Sequence, residues 1–184
     1  NLLGNVMTED EINLLAKNSI TISENDKEIV DQIIPKKYIS FVLGGEWSYK
    51  TYEKWNEVIE KIIASNKELH IIFIGSENAK FISKKIINFF PQALIYNFVS
   101  KLTFKQSVEV MRRAYLVFCC DGGLMHAANA SKKTIIVLLA RLTAEMQLTD
   151  SSSAYVVYDK IDVNNIELSS VLKKYNEAIY SLNL

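Results

Sequence analysis

The chain has 184 residues, of which 49% are hydrophobic and 23% are charged, and these values are typical of one globular domain. They exclude disorder, collagen and coiled coil as the main architecture. The 21 basic residues cancel the 21 acidic ones, so the overall charge gives no electrostatic footprint for nucleic acid or an anionic membrane. Apolar runs such as Ile135–Ala140 are far shorter than the ~20 residues of a membrane span.

The first 37 residues differ from the rest of the chain. They are polar, and their pattern predicts two short helices, over about 8–16 and 24–34, the second of which is stopped by Pro35. We interpret residues 1–37 as a linker or the tail of a missing N-terminal domain. The main domain is then expected over residues 38–184.

From Tyr38 onward, apolar runs typical of buried strands alternate with helical patterns, the last of which covers about 166–182. The predicted strands cover residues 38–43, 69–74, 93–96, 115–120 and 134–139, with a sixth candidate at 155–158. Strands without polar alternation imply a parallel sheet that is covered on both faces. Right-handed crossovers then give a doubly wound, Rossmann-like α/β domain. Ligands of such sheets bind beyond the carboxyl ends of the strands.

The segment after the first predicted strand contains two glycines, Gly44 and Gly45, followed by Glu46 and Lys50. The glycines allow the backbone to approach a ligand closely, and Lys50 can reach a phosphate. The spacing is that of a P-loop, except that Tyr49 stands where the second glycine is required. An ordinary glycine turn with a surface lysine remains an equal interpretation.

The segment after the fourth predicted strand is Asp121-Gly122-Gly123, with His126 one turn further on. Two glycines expose backbone N–H groups, and the N-terminus of the helix that follows is a ready anion site. His126 is placed to hydrogen-bond a phosphate or a sugar hydroxyl. The alternative is a tight turn with a capping Asp121 and a packed histidine. After the second strand, Glu77 is a candidate to hydrogen-bond a ribose hydroxyl. The alternative is a solvent-exposed glutamate at the start of a helix.

Cysteine and histidine usage predicts no metal site and no bound cofactor. Cys119 and Cys120 are neighbours in a predicted strand and point to opposite faces, so they are poorly placed to pair or to share a metal. We expect two reduced, buried thiols. The two histidines, His70 and His126, are too few for a histidine-based site.

These segments together resemble glycosyltransferase family 9, the ADP-heptose:lipopolysaccharide heptosyltransferases, over about residues 38–145. The strongest similarity is to the family motif D-[ST]-G-x-x-H, which residues 121–126 follow except that Gly122 replaces the hydroxyl residue. Further similar segments are Lys50-Thr51-Tyr52, Gly75-Ser76-Glu77 and Ser100-Lys101-Leu102-Thr103-Phe104. Thr103 is also predicted to cap the helix that begins after it.

The resemblance implies one half of a GT-B fold, the half that binds the sugar donor. It implies metal-independent transfer of a heptose-like sugar from a nucleoside-diphosphate sugar, such as ADP-heptose, to a lipopolysaccharide or other glycan acceptor. The missing N-terminal domain would hold the acceptor and the catalytic base, so no catalytic residue is identified here. The implied location is cytoplasmic, free or peripheral at the inner membrane. The donor-binding residues that we carry over are Gly44, Gly45, Glu46, Lys50, Glu77, Leu102, Thr103, Asp121, Gly122, Gly123 and His126.

Two alternatives stay open at this point. One is a nucleotide or nucleotide-sugar binding module without turnover, which Gly122 and the missing half favour. The other is a P-loop-like ATPase or kinase, which the spacing around Lys50 suggests. Neither nucleic acid nor a membrane span is expected. The nucleotide base, the sugar and the acceptor are not determined by the sequence.

Overall fold

The computed structural model describes residues 20–183, so the helix predicted over about 8–16 lies outside the described residues. The strands are β1 Tyr38–Val42, β2 His70–Ile74, β3 Ile95–Asn97, β4 Val117–Cys120, β5 Ile135–Ala140 and β6 Ala154–Asp159. The α-helices are α1 Glu24–Ile33, α2 Trp55–Ser65, α3 Lys80–Phe89, α4 Phe104–Arg113, α5 Gly123–Ala130, α6 Ala144–Gln147 and α7 Leu168–Leu182. Short 3₁₀ helices cover Ser48–Lys50, Glu77–Ala79 and Val163–Asn165.

All strand pairs of the six-stranded sheet are parallel, and the strand order is β3-β2-β1-β4-β5-β6. The chain winds outward from β1 to β3, crosses back, and winds outward again from β4 to β6. This is the doubly wound, Rossmann-like arrangement, and the predicted fold class is confirmed. The strand order reverses between β1 and β4, where ligands of open parallel sheets bind.

Apolar layers cover both faces of the sheet. On one face, the rings of Phe41 and Phe118 stack with centroids 4.4 Å apart, and Trp55 of α2 meets Phe41 edge-on at 5.4 Å. On the other face, Met111 of α4 and Met125 of α5 are fully buried. Successive strand residues supply opposite layers, which explains why the strands are apolar without alternation. Cys119 and Cys120 lie in these layers, buried and without a disulfide, as predicted.

The segment before β1 is part of this domain. Val30 of α1 is fully buried in the same layer as α4, and Ile22 is nearly so. Asp31 pairs with Arg113 of α4 at 2.5 Å, and Gln106 donates a hydrogen bond to Asp26 at 3.1 Å. Residues 20–34 therefore pack on the main domain, because α1 covers an apolar face of α4, and the interpretation of residues 1–37 as a linker or tail stays a prediction. Among residues 20–183, none of the helices has the length and apolarity to cross a bilayer.

Candidate functional site

A cavity of about 330 Å³ opens at the carboxyl edge of the sheet, between β1 and β4. Its position is the switch point at which the strand order reverses. The residues around it come from the segments that follow β1, β2 and β4, with a few apolar side chains as its floor. They are Val42, Leu43, Gly44, Gly45, Glu46, Lys50, Gly75, Ser76, Asn78, Cys120, Asp121, Gly122, Gly123, Leu124 and Met125.

An ion pair between Lys50 and Asp121 joins the two sides of the cavity. The Lys50 Nζ lies 2.5 Å from the Asp121 Oδ2, and the two side chains are 20% and 5% exposed. This Oδ2 finds no other polar partner among the described residues, so the ammonium compensates the buried carboxylate charge. The hydrogen bond to Asp121 raises the pKa of Lys50 above its ordinary value. The lysine is therefore a fixed positive charge in the cavity.

The loop after β1 folds back tightly to present Lys50. Gly44 has a φ of 80°, which favours glycine, and a Cβ on Gly45 would come within 2.6 Å of the Lys50 carbonyl oxygen. The side-chain amide of Asn78 donates a hydrogen bond to the Gly45 carbonyl at 2.5 Å. The Ser76 hydroxyl donates a hydrogen bond to the side-chain Oδ1 of Asn78 at 2.8 Å. The loops after β1 and β2 are thus tied into one wall.

The opposite wall is the N-terminus of α5. Gly122 is the N-cap, and no side chain caps the helix. The first three N–H groups of a helix have no partner within it, and here they belong to Gly123, Leu124 and Met125, all of which line the cavity. These N–H groups and the helix dipole attract an anion. The Lys50 ammonium and this terminus therefore give the cavity two sources of positive potential.

Seven of the predicted donor-binding residues meet at this cavity. They are Gly44, Gly45, Glu46, Lys50, Asp121, Gly122 and Gly123. Lys50 and Asp121, which follow different strands, are in direct contact. The role of all seven in donor binding stays a prediction.

Four predicted residues are not brought into the cavity lining, and local contacts explain the position of three of them. Glu77 is exposed and pairs with Lys80 at 2.7 Å. Thr103 caps α4, because its hydroxyl accepts a hydrogen bond from the Gln106 backbone N–H at 3.2 Å, as the sequence predicted. Leu102 packs against the apolar layer between the sheet and α4. None of these three meets Lys50 in the cavity lining, since each has a structural partner of its own, and their role in donor binding stays a prediction.

His126 lies at the rim of the cavity rather than in its lining. Its side chain is 50% exposed, and its Nε2 lies 3.8 Å from the Asp121 Oδ1, which is too far for a hydrogen bond. Its backbone N–H closes the first turn of α5 on the Gly122 carbonyl. The imidazole is thus free to meet a group that enters from solvent.

Ser76 and Asn78 are the lining side chains that the sequence analysis missed. They stand in the segment after β2, where ligands of such sheets are expected to bind, but the residue types there favoured the carboxylate of Glu77 between them. The 3₁₀ turn Glu77–Ala79 lets Asn78 reach Gly45. Only the position after a strand gave a signal for Asn78, and its residue type did not.

The loop that carries Lys50 is not a P-loop. In a P-loop the lysine opens the helix that follows the strand, whereas here Ser48–Lys50 is an isolated 3₁₀ turn and α2 begins at Trp55. The ATPase or kinase alternative therefore loses its geometric basis. Among residues 20–183, no group of three or more metal-ligating side chains is found.

Comparison with protein families and solved structures identifies relatives of the chain. The model of Glycosyltransferase family 9 (heptosyltransferase) matches residues 8–157. No curated protein sequence matches. Among solved structures, ADP-heptose LPS heptosyltransferase II of E. coli is 19% identical, with a TM-score of 0.74. The match covers 90% of this chain and 54% of the E. coli chain. A family 9 glycosyltransferase of Veillonella parvula is 15% identical with a TM-score of 0.77, at 88% and 53% coverage.

A third similar structure is the E. coli heptosyltransferase WaaC with ADP, which is 16% identical with a TM-score of 0.68 and covers 83% of this chain and 48% of its own. At these identities the structures establish the shared fold. The chain spans about half the length of each of the three. The doubly wound sheet described above therefore corresponds to about half of the GT-B architecture of these relatives.

Proposed function

The chain belongs to glycosyltransferase family 9, and from this membership we propose that it is the donor-binding half of a heptosyltransferase-like enzyme. Its ligand is a nucleoside-diphosphate sugar similar to ADP-heptose. The diphosphate lies between the Lys50 ammonium and the uncapped first turn of α5. The observation that carries the proposal is that these two sources of positive potential share one cavity at the switch point of the sheet.

The reaction in this proposal is displacement at the anomeric carbon of the donor sugar. A bond forms from the acceptor hydroxyl oxygen to that carbon, and the bond from the carbon to the phosphate oxygen breaks. The acceptor proton passes to a base on the acceptor side, which this half does not supply. The departing β-phosphate gains negative charge, and donors fixed before the reaction stabilise such charge most effectively. Lys50 and the Gly123 and Leu124 N–H groups are the donors that we assign to it, without a metal ion.

Asp121 has a positioning role in this account. Its buried carboxylate holds the Lys50 ammonium over the cavity. A diphosphate that enters would take the remaining N–H donors of Lys50, since an ammonium has three. The acceptor is a lipopolysaccharide or another glycan, and the enzyme works in the cytoplasm or at the inner membrane surface. The acceptor and the location rest on the family alone.

The proposal is tested by titration calorimetry of ADP on the wild-type chain and on Lys50→Met. A hydrogen bond to a charged group is worth about 1.5–3 kcal/mol, so the variant is expected to bind ADP about 10- to 100-fold more weakly. Lys54→Met is the matched control, because it removes a nearby lysine that does not line the cavity. A chelator should leave the wild-type affinity unchanged.

A second variant guards against loss of fold. Lys50→Met leaves the Asp121 charge buried and unpaired, which destabilises proteins, whereas Lys50→Met with Asp121→Asn removes both charges. If this folded double variant bound ADP as well as the wild type, the diphosphate would not lie at Lys50 and the proposal would be wrong.

A binding module without turnover is the second candidate. Gly122 favours it, because it removes the hydroxyl that the family motif places beside the diphosphate. The two candidates differ in one measurement on the full-length protein, the release of ADP from ADP-heptose in the presence of acceptor. Release supports the transferase, and tight binding without release supports the module.

A further inference from the structure

The outer side of α3 carries a basic and aromatic surface, which we call the α3 face and define as Phe81, Lys84, Lys85 and Phe89. Phe81 is 81% exposed and Phe89 is 57% exposed, and both lysines are exposed. Large apolar side chains with this exposure are unusual when they lie together on one element. The exposure of two phenylalanines beside two lysines on the α3 face requires an explanation.

Packing of α3 on its own domain does not explain these residues. The helix already buries its inner side through Ser83 and Ile86, with Ile82 partly buried against the same layer. Phe81 and Lys85 are four residues apart and therefore lie one turn apart on the outer side. A helix that had only to stay soluble would carry polar residues at positions 81 and 89.

Charge is segregated around this face. Residues 78–108 contain five lysines and no aspartate or glutamate, although the whole chain has equal numbers of both signs. This stretch forms α3, the edge strand β3 and the start of α4. Lys80 pairs with Glu77, but within residues 20–183 neither Lys84 nor Lys85 forms a salt bridge. Within the described residues, the α3 face thus carries two positive charges without an acidic partner, on a chain of zero net charge.

We propose that the α3 face docks on the surface of an anionic lipid bilayer. Aromatic rings beside lysines suit the interface between headgroups and acyl chains, because the rings enter the apolar boundary while the ammonium groups stay with the headgroups. Each lysine near an anionic surface strengthens binding about fivefold. A second copy of the chain fits poorly, since a two-fold contact would place the lysines of both copies together. Nucleic acid fits less well, because its phosphates leave the two phenylalanines without a partner.

Docking there would place the cavity close to the bilayer. The α3 face begins at Phe81, three residues after Asn78, which lines the cavity. A bilayer on this side therefore adjoins the carboxyl edge of the sheet. The inference does not rest on the proposed function, because it concerns residues that do not line the cavity, and either can fail alone.

The test is co-sedimentation of the chain with vesicles of phosphatidylcholine that contain one-quarter phosphatidylglycerol. We expect binding to these vesicles at low salt and little binding to pure phosphatidylcholine. Lys84→Gln with Lys85→Gln should weaken binding about 20- to 30-fold. Phe81→Ala with Phe89→Ala should weaken binding by a similar factor without any change of charge. The matched control, Lys160→Gln with Lys173→Gln, removes two exposed lysines elsewhere and should change binding by less than about threefold.

Four results would overturn the proposal. The first is equal binding to charged and uncharged vesicles, and the second is equal loss in the lysine control. The third is a loss of polyanion binding in the lysine variant while the phenylalanine variant binds vesicles normally, which would indicate nucleic acid. The fourth is a chain that binds no vesicles, while its phenylalanine variant unfolds at lower temperature or sediments as a smaller species. A lower unfolding temperature would show that another part of the chain covers the α3 face, and a smaller species would show that a second copy does.

Discussion

At the residue scale, the site depends on what stands at position 122. Gly122 has a φ of 166°, which is extended backbone that any residue adopts, and no atom lies within 4 Å of where its Cβ would be. The hydroxyl residue of the family motif would therefore fit without strain. A serine or threonine is also a favoured N-cap, whereas glycine leaves the cap to the backbone. No steric conflict therefore explains why a glycine replaces the hydroxyl residue at position 122.

We predict that Gly122→Thr tightens ADP binding. A hydroxyl donor to the diphosphate at this partly exposed site should be worth about 1 kcal/mol, or roughly fivefold in affinity. Titration calorimetry on both proteins measures it. Gly122→Ala adds the Cβ without the hydroxyl and should bind ADP like the wild type. Unchanged affinity in the threonine variant would mean that the turn at residues 121–126 does not hold the diphosphate.

At the element scale, the burial of the strands was easier to predict than that of α1, which was expected as a helix over about 24–34 but without its packing on the domain. The runs that became β1, β2, β4 and β5 are apolar on both faces, and such runs are typical of covered parallel strands. Helix α1 gave no such signal, because Val30 is its one fully buried side chain and its partner Arg113 is distant in sequence. Its packing on α4 is a tertiary effect that local periodicity does not show.

The role of α1 predicts a loss of stability in Val30→Ala. Removal of two buried methyl groups should lower the free energy of unfolding by about 2 kcal/mol. Urea denaturation measures this value, and Ile29→Ala is the control, because Ile29 on the same helix is 37% exposed. A change no larger than that of the control would show that α1 is not part of the cooperative core.

The site could also be predicted only in part, for a similar reason. Strand ends converge in any doubly wound sheet, so the segments of Lys50 and Asp121 were found without knowledge of the strand order. That Asn78 lines the cavity and Glu77 does not could not be predicted, because the direction of a side chain in a short 3₁₀ turn is set by its tertiary partner, here the Gly45 carbonyl.

At the scale of the whole molecule, the buried ionisable groups make the free energy of unfolding depend on pH in the alkaline range. Burial raises the pKa of Cys120 from 9.0 to about 12 and that of Tyr52 to about 12. Burial also raises the pKa of Cys119 and of Tyr38. Between about pH 9 and pH 12 these groups ionise in the unfolded chain but stay protonated in the folded one. The folded state then binds more protons, so stability must fall as pH rises.

We therefore predict that the free energy of unfolding, measured by urea denaturation, decreases above about pH 9. Each group contributes a slope of up to about 1.4 kcal/mol per pH unit. Cys120→Ala should make the decrease less steep, because one of these groups is gone, even though the variant is less stable at neutral pH. Stability that stays constant up to about pH 11 would contradict the burial of these groups as ionisable residues.

The central claim is that one cavity holds a diphosphate between a lysine and a helix terminus, and a crystal structure of the chain with ADP tests it most directly. We predict phosphate oxygens within hydrogen-bond distance of the Lys50 Nζ and of the Gly123 or Leu124 N–H groups, with Asp121 still beside the ammonium. ADP bound elsewhere, or bound here with its phosphates directed away from α5, would contradict the claim.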